Sequence, residues 1–495
     1  MRFSQWASWA CWGCSLATAE INITHSSRNV LPATFRPPPH FRNVMLVRNI
    51  NLDKSYAKEA INVLIENVDT HPQSQYYLLF EAGTLSRLGG LEVRDKKALD
   101  KEGFTAEIVE VDPESTTEYY KITLPTALAP KEQLTLAISW HTLSTLDPLP
   151  ASIAQADKQY VLYRFSAYAP SAYRTSQQKT KLKLPTTDVP DVVTIPKALN
   201  SEGKQDPQKQ GTTYTYGPYG EVEAGAVQQV SVRFELTKPL THGSLLERDV
   251  EVSHWGGNLA VEERHWLTNR AATLKNHFSR LQYQQAQYHK PLSSAMKELN
   301  FPLAVGSMDA YFIDDIGNVS TSRFRTNPRE ASLTLKPRYP LFGGWKYSFR
   351  VGWNSELKGY LRKAQGKSDS YVLKVPFFEG PKQSEGIEYE RVVTRVILPE
   401  GATNLEFSTT MPLISNTTAL HRTFLDTLGR TALTLTALNV VDEARDRELV
   451  VTYDYPSSAI YRKPLTIVAG MLAVFCVSCV VGNLDVSIGR KRKVS

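Results

Sequence analysis

Two adjacent acid pairs, Glu262-Glu263 and Asp314-Asp315, are of a type that carries general acid–base or glycosyl-transfer chemistry. That chemistry needs two carboxylates facing one bond. Neighbouring side chains on an extended backbone point to opposite faces, so neither pair makes a facing dyad. His254, His265, His277 and His289 cluster in sequence, yet no two stand four apart around a carboxylate as a metal-binding helix requires. They are expected to be surface or core histidines. Asp-x-Asp is absent, with Glu110-Val111-Asp112 the nearest approach, and there is no His-Glu-x-x-His, Gly-x-Ser-x-Gly, phosphate-binding loop or Gly-x-Gly-x-x-Gly. No catalytic, cofactor-binding or metal-binding residue is assigned. What remains is acceptor chemistry. Asn22-Ile23-Thr24, Asn318-Val319-Ser320 and Asn416-Thr417-Thr418 are N-glycosylation sequons. Asn318 follows a glycine in an expected exposed turn and Asn416 lies in a Ser/Thr-rich loop, whereas Asn22 stands close to an expected processing site.

The cysteines place these residues in a compartment. All four lie in apolar segments near the termini: Cys11 and Cys14 in one, Cys476 and Cys479 in the other. The long region between them therefore folds without disulfides or thiolate zinc sites, and its size must supply the core. Cys476-Val477-Ser478-Cys479 has redox spacing but no strand–helix context, which leaves apolar packing or palmitoylation of one thiol. Residues 1–19 carry Arg2, an apolar run from Trp6 to Leu16 and Ala17-Thr18-Ala19, the pattern of a cleaved signal peptide. Residues 465–482 carry no formal charge and are long enough to span a bilayer; the tail, 483–495, contains Arg490-Lys491-Arg492-Lys493. Basic residues on the cytosolic side give a type I orientation, with the bulk of the chain in the secretory lumen. Arg492-Lys493 also resembles a dilysine retrieval signal. Arg2 and the basic tail supply much of the net charge of +7, so the lumenal part is nearly balanced and offers nothing for nucleic acid.

Between the two apolar segments the pattern is mainly β. Leu134–Trp140, Lys181–Leu184 and Val230–Leu236 alternate strictly, as do Ala432–Leu438 and Leu449–Tyr453, and Asp426–Arg430 has hairpin-turn composition. An internal repeat underlies them. Pro125 and Pro340, Trp140 and Trp353, Tyr160-Val161-Leu162 and Tyr371-Val372-Leu373, and Leu184-Pro185 and Leu398-Pro399 recur in one order at offsets of 211–215 residues. The fold expected is two tandem lumenal β-sandwich-like domains, 20–240 and 241–460, followed by one C-terminal transmembrane α-helix. The stretch SEGKQDPQKQ (201–210) is expected as a surface loop within the first domain.

The most distinctive stretch runs from Ser253 to Trp345. It opens on Ser253-His254-Trp255-Gly256-Gly257-Asn258, passes Asp314-Asp315-Ile316-Gly317-Asn318 and closes on Tyr339-Pro340-Leu341-Phe342-Gly343-Gly344-Trp345. Trp255, Gly343, Gly344 and Trp345 are expected to be structural anchors, two glycines allowing close backbone approach between large aromatics. These three blocks, in this order, resemble the ribophorin I family, the α subunits of the eukaryotic oligosaccharyltransferase complex. The resemblance covers most of the chain and implies a non-catalytic subunit of the endoplasmic reticulum membrane that supports N-glycosylation through complex assembly and substrate presentation. The many-span architecture and Trp-Trp-Asp motif of the complex's catalytic subunit are absent. Partners implied are the catalytic subunit, a small membrane subunit beside the span, other subunits, and nascent secretory polypeptides. Ala469, Gly470, Ala473, Ser478 and Gly482 would permit close helix approach. The residues alone also admit a type I adhesion or receptor ectodomain, or a hydrolase, which the lack of a metal motif disfavours.

Overall fold

The computed structural model describes residues 31–484, apart from 98–103, 110, 113, 197–198, 204, 290–292, 367–368 and 424–425. The expected signal peptide, Asn22 and the basic tail from 485 lie outside the described residues. The fold is mainly β, 52% strand and 10% helix, with one apolar C-terminal helix, Arg462–Asn483.

Alternation builds the sheets. Along Thr241–Ser253 and Asn258–Asn269 nearly every second side chain is buried, as a sheet with one face on a core requires. The Ser253–Asn258 turn joins them into a hairpin, the centre of an eight-stranded sheet. Its order is Gly317–Asn318, Met308–Asp314, Lys346–Glu356, Asn258–Asn269, Thr241–Ser253, Glu388–Ile397, Arg430–Val441, Ser415–His421. One pairing is parallel, Thr241–Ser253 with Glu388–Ile397.

The first half of the chain repeats this connectivity. Its seven-stranded sheet is ordered Leu88–Asp95, Gln133–Thr142, Ala57–Asn67, Phe41–Asn51, Gln178–Lys183, Thr213–Tyr219, Gln208–Gln210, with Phe41–Asn51 and Gln178–Lys183 the parallel pair. Each large sheet is faced by a four-stranded and a three-stranded sheet whose strands again follow one order in both halves. Apolar residues from large and small sheets share clusters, Ile61, Phe80 and Trp140 in one, Phe165, Tyr216 and Phe234 in another, Trp353, Leu333 and Val451 in the third. Burying each such side chain contributes about 1.5–3 kcal/mol.

Three of the four sequence matches fall on equivalent elements. Trp140 and Trp353 occupy corresponding strands, Tyr160 and Tyr371 stand at or next to the start of corresponding strands of the four-stranded sheets, and Leu184-Pro185 and Leu398-Pro399 follow corresponding strands. Pro125 and Pro340 do not correspond. Pro125 lies within Thr117–Leu128, while Pro340 lies in the loop after Ala331–Leu335.

The halves meet at one end of the eight-stranded sheet. Lys54 Nζ and Tyr56 Oη donate to Asp442 (2.9 and 2.7 Å), Ser144 donates to Glu388, and Asn439 Nδ2 donates to the Ser86 and Leu88 carbonyls. The apolar helix leaves from the other end, where Lys463 approaches Asp426 and Arg430 begins its strand. Strand Arg430–Val441 connects the two ends, about 36 Å at ~3.3 Å per residue. The first half is thus held away from the helix. The helical segment Ser457–Asn483, whose most apolar 18-residue window has mean hydropathy 2.5, is long and apolar enough to cross a membrane and extends the expected 465–482 at its N-terminal side.

Candidate functional site

The central stretch builds the junction between the halves. Phe342 is fully buried, and Trp345 packs edge-on to it at 5.7 Å with Tyr339 and Phe278 alongside. Gly343 lies against Ala271 and Ala272, so closely that a Cβ there would overlap both carbonyl oxygens. Gly344 adopts φ +81° and donates its N–H to the Asn269 carbonyl at 2.7 Å. The strip it presses on reaches into the first half. Ala272 N–H donates to Gln159 Oε1 (2.8 Å), Thr273 N–H donates to the Ala151 carbonyl, and Thr273-Leu274 pairs with Ser152-Ile153. Gly343 supplies space, Gly344 supplies a left-handed turn, and the corner orients one half on the other. Trp345 is half-buried rather than an enclosed anchor, because Phe342 occupies the core position. Trp255 departs further from the sequence expectation: it is 62% exposed at the tip of its turn, where the two glycines leave it no covering element.

A second line of contacts closes the junction. His141 Nε2 donates to the Asn439 carbonyl (2.6 Å), Lys58 pairs with Glu443, and Arg447 with Glu92. Asp442 takes two donors from the first half, so Asp442→Ala is expected to cost about 1–3 kcal/mol. A lowered melting temperature with increased proteolysis between the halves would show it; an unchanged melt would make the junction incidental.

The acid pairs are split between faces, as extended backbone dictates. Glu263 is buried and accepts from Arg248 Nη1 (2.7 Å), His265 Nε2 (3.2 Å) and the Glu379 and Gly380 N–H groups, while Glu262 faces Tyr311 and Arg264 on the other side. Burial raises the Glu263 pKa, but the His265 hydrogen bond and Arg248 charge outweigh it and hold the group below the ordinary carboxylate range. Burial pushes the adjoining Glu379 up. Asp314 accepts from Arg338 (2.6 Å), the Ile316 and Gly317 N–H groups and Tyr347, and the Arg338 hydrogen bond keeps it low. Asp315 turns outward to Ser348. Each inward acid is committed to a structural cation.

Arg48 and Glu59 form the matching buried pair in the first half (2.6 Å). Arg48 stands opposite Thr180 and Arg248 opposite Thr394 across the parallel pairing, an equivalence the sequence reading missed because the two arginines are 200 residues apart, not 211–215.

His265 stacks on Phe349 at 4.9 Å in the core, and His254 hydrogen-bonds Tyr453 at 2.7 Å. Burial lowers His254 to about 4 and places His141 below its ordinary value. As pH falls below the unfolded-state value of ~6.5, the unfolded chain gains protons at both sites before the folded chain does. Their stabilisation is therefore complete above that pH and lost on descent through the folded values. Melting temperature should fall between pH 6.5 and 4, and less steeply in His254→Phe; an unaltered slope in that variant would contradict the assignment.

On the outer face, Trp266, Asp315, Ile316, Tyr339, Lys346 and Ser348 border an open groove of about 520 Å³. No histidine lines it, so Ser348 and Asp315 have no imidazole relay there. Asn318 lies exposed on the edge strand beside the groove, and Asn416 is exposed on the strand at the opposite edge of the same sheet, not in a loop as the sequence suggested. Among the described residues no three His, Cys, Asp or Glu gather as a metal site.

The ribophorin I family model matches residues 41–482. A Schizosaccharomyces pombe protein named dolichyl-diphosphooligosaccharide–protein glycosyltransferase subunit 1 is 31% identical over 424 residues, 85% of this chain and 90% of that protein. Subunit 1 of Caenorhabditis elegans is 32% identical over 89% of this chain and 72% of its own length. Subunit 1B of Arabidopsis thaliana is 30% identical over 90% and 93%. A solved M1 zinc metallopeptidase from Deinococcus radiodurans, 12% identical, overlaps 43% of this chain and 42% of its own at a TM-score of 0.26, a likeness too slight to carry argument. With the match running from the first strand of the seven-stranded sheet into the apolar helix, the chain belongs to the ribophorin I family.

Proposed function

We propose that this protein is a non-catalytic subunit of the endoplasmic-reticulum oligosaccharyltransferase complex. It supports N-glycosylation of nascent polypeptides by holding the complex together and presenting substrate. The family match over 41–482 carries this reading, with relatives named as subunit 1 of the dolichyl-diphosphooligosaccharide–protein glycosyltransferase. The non-catalytic role is supported by the fate of the acids: Glu263 and Asp314 serve Arg248 and Arg338 instead of a substrate. Two domains, 20–240 and 241–460, stand in the lumen on one span, with the first held farther from the bilayer. The catalytic subunit and a small membrane subunit are its partners at the span, nascent secretory chains its clients in the lumen. Affinity purification in gentle detergent followed by mass spectrometry tests this. Recovery of the other transferase subunits is expected, and recovery of cell-surface proteins alone would replace the reading with an adhesion receptor.

Lumenal placement makes Asn318 and Asn416 modification sites. Both are exposed on edge strands, where a glycan also blocks edge-to-edge pairing. Endoglycosidase should lower the apparent mass, and Asn318→Gln with Asn416→Gln should remove most of that shift. Asn22 remains a third acceptor. No shift on digestion of the unaltered protein would place both sites outside the lumen.

A further inference from the structure

The exposed Trp255 has no role in the junction or the groove, yet its position is specific. It shares a small cleft with Ile460, Arg462 and Lys463, the residues through which the chain enters the apolar helix. The expected span begins at Leu465, about 3 Å beyond Lys463 along the helix axis at ~1.5 Å per residue. Other exposed apolar side chains ring the same exit point. Tyr461 is 64% exposed; Leu428, 61% exposed, follows Asp426, whose carboxylate lies 3.4 Å from Lys463 Nζ. Leu420, 68% exposed, lies across from Thr431 at that end of the eight-stranded sheet. These side chains come from separate turns and strand ends around one helix exit.

We infer that this end of the sheet is a membrane-interface foot, in which Trp255, Tyr461, Leu428 and Leu420 dip into the lipid headgroup region around the span. Indole and phenol rings suit that zone because one part of each ring is apolar and the other hydrogen-bonds. Arg462 and Lys463 stand half-buried at the same level, with Lys463 held 3.4 Å from Asp426. The occupant is lipid because the ring of side chains continues the surface of the apolar helix itself. The foot fixes the upright posture of the lumenal domains: a single flexible helix entry would let them swing, whereas several shallow contacts around it hold the sheet end against the bilayer.

The inference rests on the reading that Arg462–Asn483 spans a membrane, and the test separates the two. The full chain, with Cys11, Cys14, Cys476 and Cys479 each replaced by Ala, is reconstituted alone into phosphatidylcholine vesicles. A fluorophore is attached at Trp255→Cys, Leu428→Cys or, as a control at the far end, Ile316→Cys; Ile316 is 78% exposed. Lipids carrying a headgroup nitroxide then quench. Loss of most emission at 255 and 428, with emission at 316 retained, is expected. Chain that fails to float with vesicles would overturn the spanning reading. Chain that floats with 255 quenched no more than 316 would overturn the foot, and would indicate a protein partner on this surface. Because the label replaces the indole, a second variant, Trp255→Asp, is made on the Leu428→Cys background. Loss of quenching at 428 without loss of flotation is expected; unchanged quenching would show that Trp255 does not hold the sheet end down.

Discussion

Gly343→Val should destabilise the protein by about 3 kcal/mol or more, the upper end of overpacking costs. The reason is what a side chain would meet. The Ala271 and Ala272 carbonyl oxygens are backbone, fixed by a strip that also bonds Gln159 and Ala151 of the first half, so no rotamer change relieves the overlap. Gly344→Ala tests the other glycine function: its Cβ has more room, but φ +81° imposes a left-handed conformation costing about 1–2 kcal/mol. Trp345→Ala should fall below the ~3–5 kcal/mol of an enclosed aromatic, because the ring is half-buried. Thermal unfolding of the detergent-solubilised chain ranks the three. Gly343→Val at or below the effect of Gly344→Ala would contradict the packed corner.

Glu263→Ala is the second large effect, about 3–5 kcal/mol, the cost of breaking a buried ion pair from one side. It strands the fully buried Arg248 guanidinium and removes the acceptor of the Glu379 and Gly380 N–H groups and His265. Arg248 retains Glu379 at 3.4 Å, a weaker geometry. Arg248→Met combined with Glu263→Leu should recover part of the loss but not all. The N–H groups stay unpaired, although Glu379, already pushed up by burial, becomes neutral once the cation is gone. Thermal unfolding of the single and double variants measures the recovery. A double variant as unstable as the sum of its singles would show that the pair is not coupled.

How far the sequence revealed this follows from what each signal depends on. Strand alternation depends on one face being buried, so Leu134–Trp140 and Ala432–Leu438 were legible as strands. The repeat is legible through Trp140 and Trp353, whose strands correspond, and misleading at Pro125, which lies within a strand whereas Pro340 lies in a loop. The Phe342–Trp345 corner showed through its glycines, but which aromatic fills the core depends on tertiary packing, and that went to Phe342. Trp255 suggests an anchor because large aromatics usually bury, but its turn leaves it exposed beside the helix entry. The Arg48 and Arg248 equivalence was hidden because loop lengths differ between halves, and register across a parallel pairing cannot be read from spacing.

As proposed, this chain supports the glycosylation of other proteins without carrying out the transfer. This is tested most directly by depleting the protein from cells and measuring sequon occupancy across many unrelated secretory glycoproteins by quantitative mass spectrometry. Reduced occupancy at many sites is expected, restored by the unaltered chain and less well by Gly343→Val or Glu263→Ala. Normal occupancy across the set after depletion would contradict it.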